Sequence, residues 1–145
     1  MLSEKDKSII GYLRKNSRSS LTELSKKTSI PISTLYNKLI AFRGNIIRKH
    51  TALLDFKALG FHTQILVFIK CPRLNTEDIE HSLVKSEHIN SVFKLHDEFQ
   101  FLVEGVFEHV ADADDYLETL EQKYPGIERK VFYITKEIQR EKFLA

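Results

Sequence analysis

The charge of this chain changes sign once along its length, and the hydrophobic period changes at the same place. Residues 1–60 carry 12 Lys and Arg against 4 Asp and Glu, net +8, whereas residues 61–145 carry 10 against 16, net −6. Before Gly60 the apolar residues recur at helical spacing; from Thr63 they form the dense β-branched and aromatic runs of strands. Two domains are therefore expected, 1–60 and 61–145, and 145 residues at 42% hydrophobic composition suffice for two small cores. A basic half is the electrostatic footprint of a polyanion binder, because Lys and Arg that neutralise phosphates release condensed counterions. Membrane surfaces are polyanionic too, so charge alone leaves both partners open.

Composition narrows the class further. No stretch approaches the roughly 18 consecutive apolar residues of a membrane span, and Met1 to Lys15 alternates charges with isolated Leu and Ile instead of building a signal-peptide core. A soluble, cytoplasmic protein with no membrane partner is expected. The single cysteine, Cys71, forbids an intramolecular disulfide and any Cys-rich zinc site.

In the basic half, Ser3 with Asp6 three residues on opens a first helix whose stripe is Ile9, Ile10 and Leu13, and Asn16 to Arg18 closes it. Ser20 and Glu23 form a better capping box for a second helix, which runs to about Thr28. Ser29, Ile30 and Pro31 break the chain before a third helix over Ile32 to Phe42, with Pro31 suited to its first turn. On that helix Leu35, Leu39 and Phe42 share one face, at i, i+4 and i+7. The opposite face carries Ser33, Tyr36, Asn37 and Ile40, flanked by Thr34 and Ala41. An amide there can pair bidentately with adenine and hydroxyls can bond either kind of base edge, while Lys38 and Arg43 at the margins suit phosphates. A polar solvated face would look the same in one isolated helix. Two short capped helices in a net +8 segment favour the DNA reading. Beyond Gly44, two β-prone runs around Arg48 and Lys49 read as a wing that sets both cations beside the duplex backbone.

In the acidic half the runs predict strands at Ile65 to Ile69, Ile89 to Leu95, Phe99 to Phe107 and Arg129 to Thr135. Helices are expected from Asn75 or Thr76, with stripe Ile79 and Leu83, and through Ala113, Leu117, Leu120 and Tyr124. A closing helix is expected over Lys136 to Leu144. The order βαββαβ is the ferredoxin-like split unit, so the fold class is α+β. Such a sheet stacks both helices on one face. Here Leu66 and Phe68 alternate with Ile65, Val67 and Ile69, so both faces carry bulky apolar groups, and a second copy of the chain is the simplest cover.

The residues resemble the leucine-responsive and asparagine-synthase regulators, the Lrp/AsnC family. The resemblance is carried by Asp6 with Ile9, Ile10 and Leu13; by Asn16-x-Arg18; by Leu21-x-Glu23-Leu24-Ser25; by Ile30, Leu35, Leu39 and Phe42; by Ile46-Ile47; and by Leu54-Asp55-x-x-x-Leu59-Gly60. It covers essentially the full chain. Ser29 stands where the family usually has a turn glycine, and Pro31 where it usually has a serine cap. The resemblance implies a winged helix-turn-helix followed by a βαββαβ effector domain that dimerises through its sheets, with tetramers or octamers beyond that. It implies a transcription regulator reading pseudo-palindromic double-stranded DNA, with Ser33, Thr34, Tyr36, Asn37, Lys38, Arg43, Arg48 and Lys49 at the duplex. The family commonly senses small metabolites near a loop that often reads Gly-x-Tyr-Asp. By register Asp97-Glu98-Phe99-Gln100 stand there, which makes His96, Asp97, Phe99 and Gln100 the candidate ligand residues. Loss of the glycine and the presence of two carboxylates argue against an ordinary amino-acid carboxylate, and a solvated hairpin loop is the other reading.

No catalytic constellation stands out. The six histidines are scattered with no H-E-x-x-H, and Asp112-Ala113-Asp114-Asp115 lacks the glycine and the final glutamate of a calcium loop. An acidic first helical turn explains that run. No metal and no cofactor are expected. Sirohaem decarboxylases share the two-domain architecture and form the enzyme alternative. They are richer in Arg, His and Gly through the linker and first effector strand, where this chain has only His62 before Gln64 to Lys70. A non-enzyme is the expectation.

Overall fold

A computed structural model describes residues 2–145 and divides them into two compact units. The first ends at Leu53 and takes in Ile138–Ala145; the second is Leu54–Glu137. The expected boundary at Gly60 thus lies seven residues inside the second unit, and the last eight residues, expected in the second domain, pack with the first.

The first unit is a three-helix assembly. Helix α1, Glu4–Lys15, opens with both bonds of a capping box: Ser3 Oγ accepts from the Asp6 N–H at 3.2 Å and Asp6 Oδ2 accepts from the Ser3 N–H at 3.0 Å. Helix α2, Leu21–Thr28, repeats the device with Ser20 and Glu23 at 3.1 and 3.0 Å. It ends on Ser29 in the left-handed conformation, φ 57°. Helix α3 spans Ile32–Phe42, as the spacing predicts. Pro31 precedes it without a side-chain cap, its carbonyl accepting the Leu35 N–H at 3.0 Å. Ile9, Ile10, Leu24, Ile30, Leu35 and Phe42 form the core, with Leu13, Leu21, Leu39 and Ile47 packed on its edge. Leu35 is fully buried, so its truncation to alanine removes about 2–5 kcal/mol.

The wing expected after Gly44 is absent as a hairpin. The chain turns through Gly44, φ 71°, the Ile46 and Ile47 N–H groups bond back to the Phe42 carbonyl, and Arg43 and Ile47 form one isolated bridge. Residues 48–55 then run without secondary structure. Each β-prone run is only a few residues long, and a lone two-stranded ribbon is marginal in water. Only Ile47 finds a core to join; Leu53 and Leu54 stay exposed.

In the second unit strands β1 (Thr63–Lys70), β2 (Ile89–Lys94), β3 (Phe101–Phe107) and β4 (Glu128–Tyr133) form one antiparallel sheet in the order β2-β3-β1-β4. Helices α4 (Thr76–Lys85) and α5 (Val110–Lys123) complete the βαββαβ order. Ile65, Val67, Ile69, Phe101, Val103 and Phe107 face Ile79 and Leu83 of α4 and Ala113, Leu117 and Leu120 of α5 in a single core. At the start of α5, Asp112 is the acidic residue of the first turn and its Oδ2 accepts the His109 N–H at 3.0 Å, whereas Asp114 and Asp115 lie beyond that turn.

The closing helix expected over Lys136 to Leu144 does not form. An isolated helix of nine residues is marginal without a face to bury, and Ile138 and Phe143 remain 91% and 82% exposed. The segment is instead an irregular tail attached to α1.

Candidate nucleic-acid interface

Helix α3 divides its residues as a reading helix must. Leu35 and Phe42 are buried and Leu39 half-buried, while Ser33, Thr34, Tyr36, Asn37, Ile40 and Ala41 are exposed. Tyr36 and Ile40, at 56% and 48% exposure, are large groups on a face that gains nothing from solvent. Hydroxyls, an amide and an aliphatic group together match the donor, acceptor and methyl pattern of a major groove.

What fixes this face is an ion pair that helical spacing alone does not reveal. Lys38 is half-buried, and its Nζ donates to Asp6 Oδ1 at 2.5 Å, joining α3 to the capping turn of α1. The Lys38 ammonium, and then the Ser3 hydroxyl and N–H, hold the Asp6 carboxyl well below its usual range, at about 2. Lys38 is therefore engaged inside the unit as well as lying at the margin of the exposed face. Arg43, Arg48 and Lys49 are exposed at and beyond the end of α3, within the first unit.

The loop after β2 distributes its expected ligand residues unevenly. Phe99 packs on Phe68 with ring centroids 5.4 Å apart, and the Gln100 side-chain oxygen accepts the Cys71 N–H at 2.7 Å while its own N–H bonds to the Ile69 carbonyl at 2.8 Å. Both residues thus build the sheet end. His96 and Asp97 are exposed beside Glu98.

The sheet face away from the helices carries Leu66, Phe68, Leu102, Phe93 and Phe132, the last two about half exposed. Amid them Glu104 is buried, accepting from Gln64 Nε2 at 2.5 Å, Asn90 Nδ2 at 2.9 Å and Ser91 Oγ at 3.0 Å. The sequence reading missed this carboxylate; its place two residues from both Leu102 and Val106, on the same face of β3, was the available signal.

Residues 2–37 match the family model described as winged helix-turn-helix DNA-binding. Over 144 residues the chain is 26% identical to an uncharacterised HTH-type transcriptional regulator of Pyrococcus abyssi, covering 99% of this chain and 97% of that one. Among solved structures, the transcriptional regulator NMB0573 of Neisseria meningitidis, crystallised with L-Met, superposes with a TM-score of 0.87 at 22% identity, over 97% of this chain and 94% of that one. B. subtilis LrpC does so with a TM-score of 0.87 at 20% identity, over 96% and 98%. Residues 2–37 thus carry a helix-turn-helix, and over nearly its whole length the chain shares the fold of these solved structures.

Proposed function

We propose that the protein is a transcription regulator that reads double-stranded DNA as a homodimer or larger assembly. The observation that carries this reading is the exposed face of α3, polar groups interleaved with Tyr36 and Ile40, on a helix pinned by Lys38 and Asp6 in a net +8 half. Ser33, Thr34, Tyr36 and Asn37 meet base edges; Arg43, Arg48 and Lys49 meet phosphates, with Lys38 at the margin as the strut of the helix. One short helix covers too few base pairs for a specific site, so two copies joined through the apolar sheet face supply two reading helices, about 34 Å apart on the duplex. A small-molecule effector acts at the loop after β2, where His96 and Asp97 are the side chains left to meet it. Among the described residues no helix is long and apolar enough to cross a membrane. As a reader of DNA the protein works where DNA is, in the cytoplasm. Selection of genomic fragments by the purified protein tests the proposal. A recovered motif with two inverted half-sites supports it, and recovery without sequence enrichment overturns it.

A further inference from the structure

Helix α1 is shaped to receive the end of its own chain. The Arg14 guanidinium donates through Nε to the Phe143 carbonyl at 2.9 Å and through Nη1 to Glu141 Oε2 at 3.1 Å. Gly11, in the middle of α1, has the Leu144 carbonyl where a side chain would begin: a Cβ there would stand 2.9 Å from that oxygen. Glycine is a poor choice inside a helix, and it is the only residue of Glu4–Lys15 without a Cβ. The tail also passes twice through left-handed backbone at residues other than glycine, Glu141 at φ 55° and Leu144 at φ 62°. That conformation is unfavourable for L-residues, and persists where surrounding contacts hold it. Ile138 and Phe143 stay exposed. Main-chain oxygens and an ion pair contribute to the attachment, and the large apolar side chains of Ile138 and Phe143 are left out of it, which leaves it releasable.

We propose that residues 138–145 are a latch whose docking on α1 strengthens binding to paired half-sites. The proposal rests on the DNA-reading dimer of the preceding section. In that dimer each helix-turn-helix unit is joined to the sheet unit through residues 48–53, which carry neither helix nor strand. After one half-site is bound, the effective concentration of the second reading helix falls as its tether becomes longer and freer. The chain leaves the sheet unit again at Glu137, so a docked tail adds a second tether and restricts that freedom. Docking changes nothing for a single half-site.

The test compares the full chain, a chain ending at Glu137, and the full-length variants Gly11→Ala and Arg14→Ala. The probes are a duplex recovered by the protein from genomic fragments and the same duplex with one half-site scrambled. Gly11→Ala is the decisive variant, since it favours the helix while placing a methyl against the Leu144 carbonyl. Affinity for the paired site is expected to fall roughly tenfold in the variants with the single site unchanged. An unchanged paired-site affinity overturns the latch, and so does an equal loss on both duplexes, which would make the tail a support of the fold or a DNA contact. A wild-type chain that binds both duplexes alike refutes the dimer reading first, before any variant is measured, and the latch falls with it. Carboxypeptidase provides a readout without DNA: the tail of Gly11→Ala is expected to be trimmed faster than that of the wild type, and equal rates overturn docking.

Discussion

Lys38 and Asp6 are 32 positions apart in sequence, and 2.5 Å separates Nζ from Oδ1. The contact couples the start of α1 to the middle of the helix that presents Tyr36 and Asn37. It also makes the unit acid-sensitive. The Asp6 carboxyl is lowered from 3.8 to about 2 by Lys38 and Ser3. A carboxyl depressed in the folded state contributes stability that is fully present above its unfolded value and is lost as pH falls through the folded one. Urea midpoints of the wild type and Asp6→Asn should therefore differ most above pH 4 and converge as pH approaches 2. A difference that stays constant across that window would mean the pair contributes nothing to stability.

The helix boundaries, the capping boxes and the βαββαβ order were legible because each rests on local chemistry: Ser3 with Asp6, Ser20 with Glu23, and the runs of β1 and β3. The Lys38–Asp6 pair was not, since residues so far apart leave no periodicity. The hairpin of the wing and the closing helix do not form, for the opposite reason. Both segments have the local propensity, but Arg48 to Leu54 finds no partner strand and Lys136 to Leu144 finds no core. Gln100 was read as a ligand residue from its register alone; its bond to the Cys71 N–H depends on how the loop closes over the end of β1.

Reader and positioner residues should separate in binding measurements. Asn37→Ala should relax preference at one base step by about 1–3 kcal/mol and leave binding to random duplex intact. Arg48→Ala should weaken both kinds of duplex alike and reduce the salt slope by about one. Titrations at several salt concentrations give both quantities. Identical behaviour of the two variants would refute α3 as the reading helix.

Ser29 ends α2 at φ 57°, a left-handed position that glycine occupies without steric cost. The Ser29 N–H still closes onto the Ser25 carbonyl at 2.9 Å, so the turn is formed despite the side chain. Ser29→Gly removes the steric penalty, about 1–2 kcal/mol, and gives back about 0.5–1 kcal/mol through the freer unfolded chain. The net expectation is a stabilisation of roughly 0.5–1 kcal/mol by chemical denaturation. A destabilised Ser29→Gly would show that the serine does more than tolerate the turn.

The apolar sheet face tolerates one carboxylate because three donors surround it. Gln64, Asn90 and Ser91 all give hydrogen bonds to Glu104. Leu102, two residues earlier on β3, stands instead between Phe68 of β1 and Phe93 of β2. In a single chain Leu102 is only partly buried, so Leu102→Glu should fold. Covered by a second sheet, the new charge would be buried without a partner, at about 3–5 kcal/mol for each copy. A loss of 3 kcal/mol alone raises the dimer dissociation constant about 150-fold. Sedimentation of Leu102→Glu at micromolar concentration should then report a monomer with wild-type helix content, and its affinity for paired half-sites should drop to that for a single one. A variant that sediments with the mass of the wild-type assembly would place the contact between copies on some other face, and the spacing of the reading helices would have to be set from there.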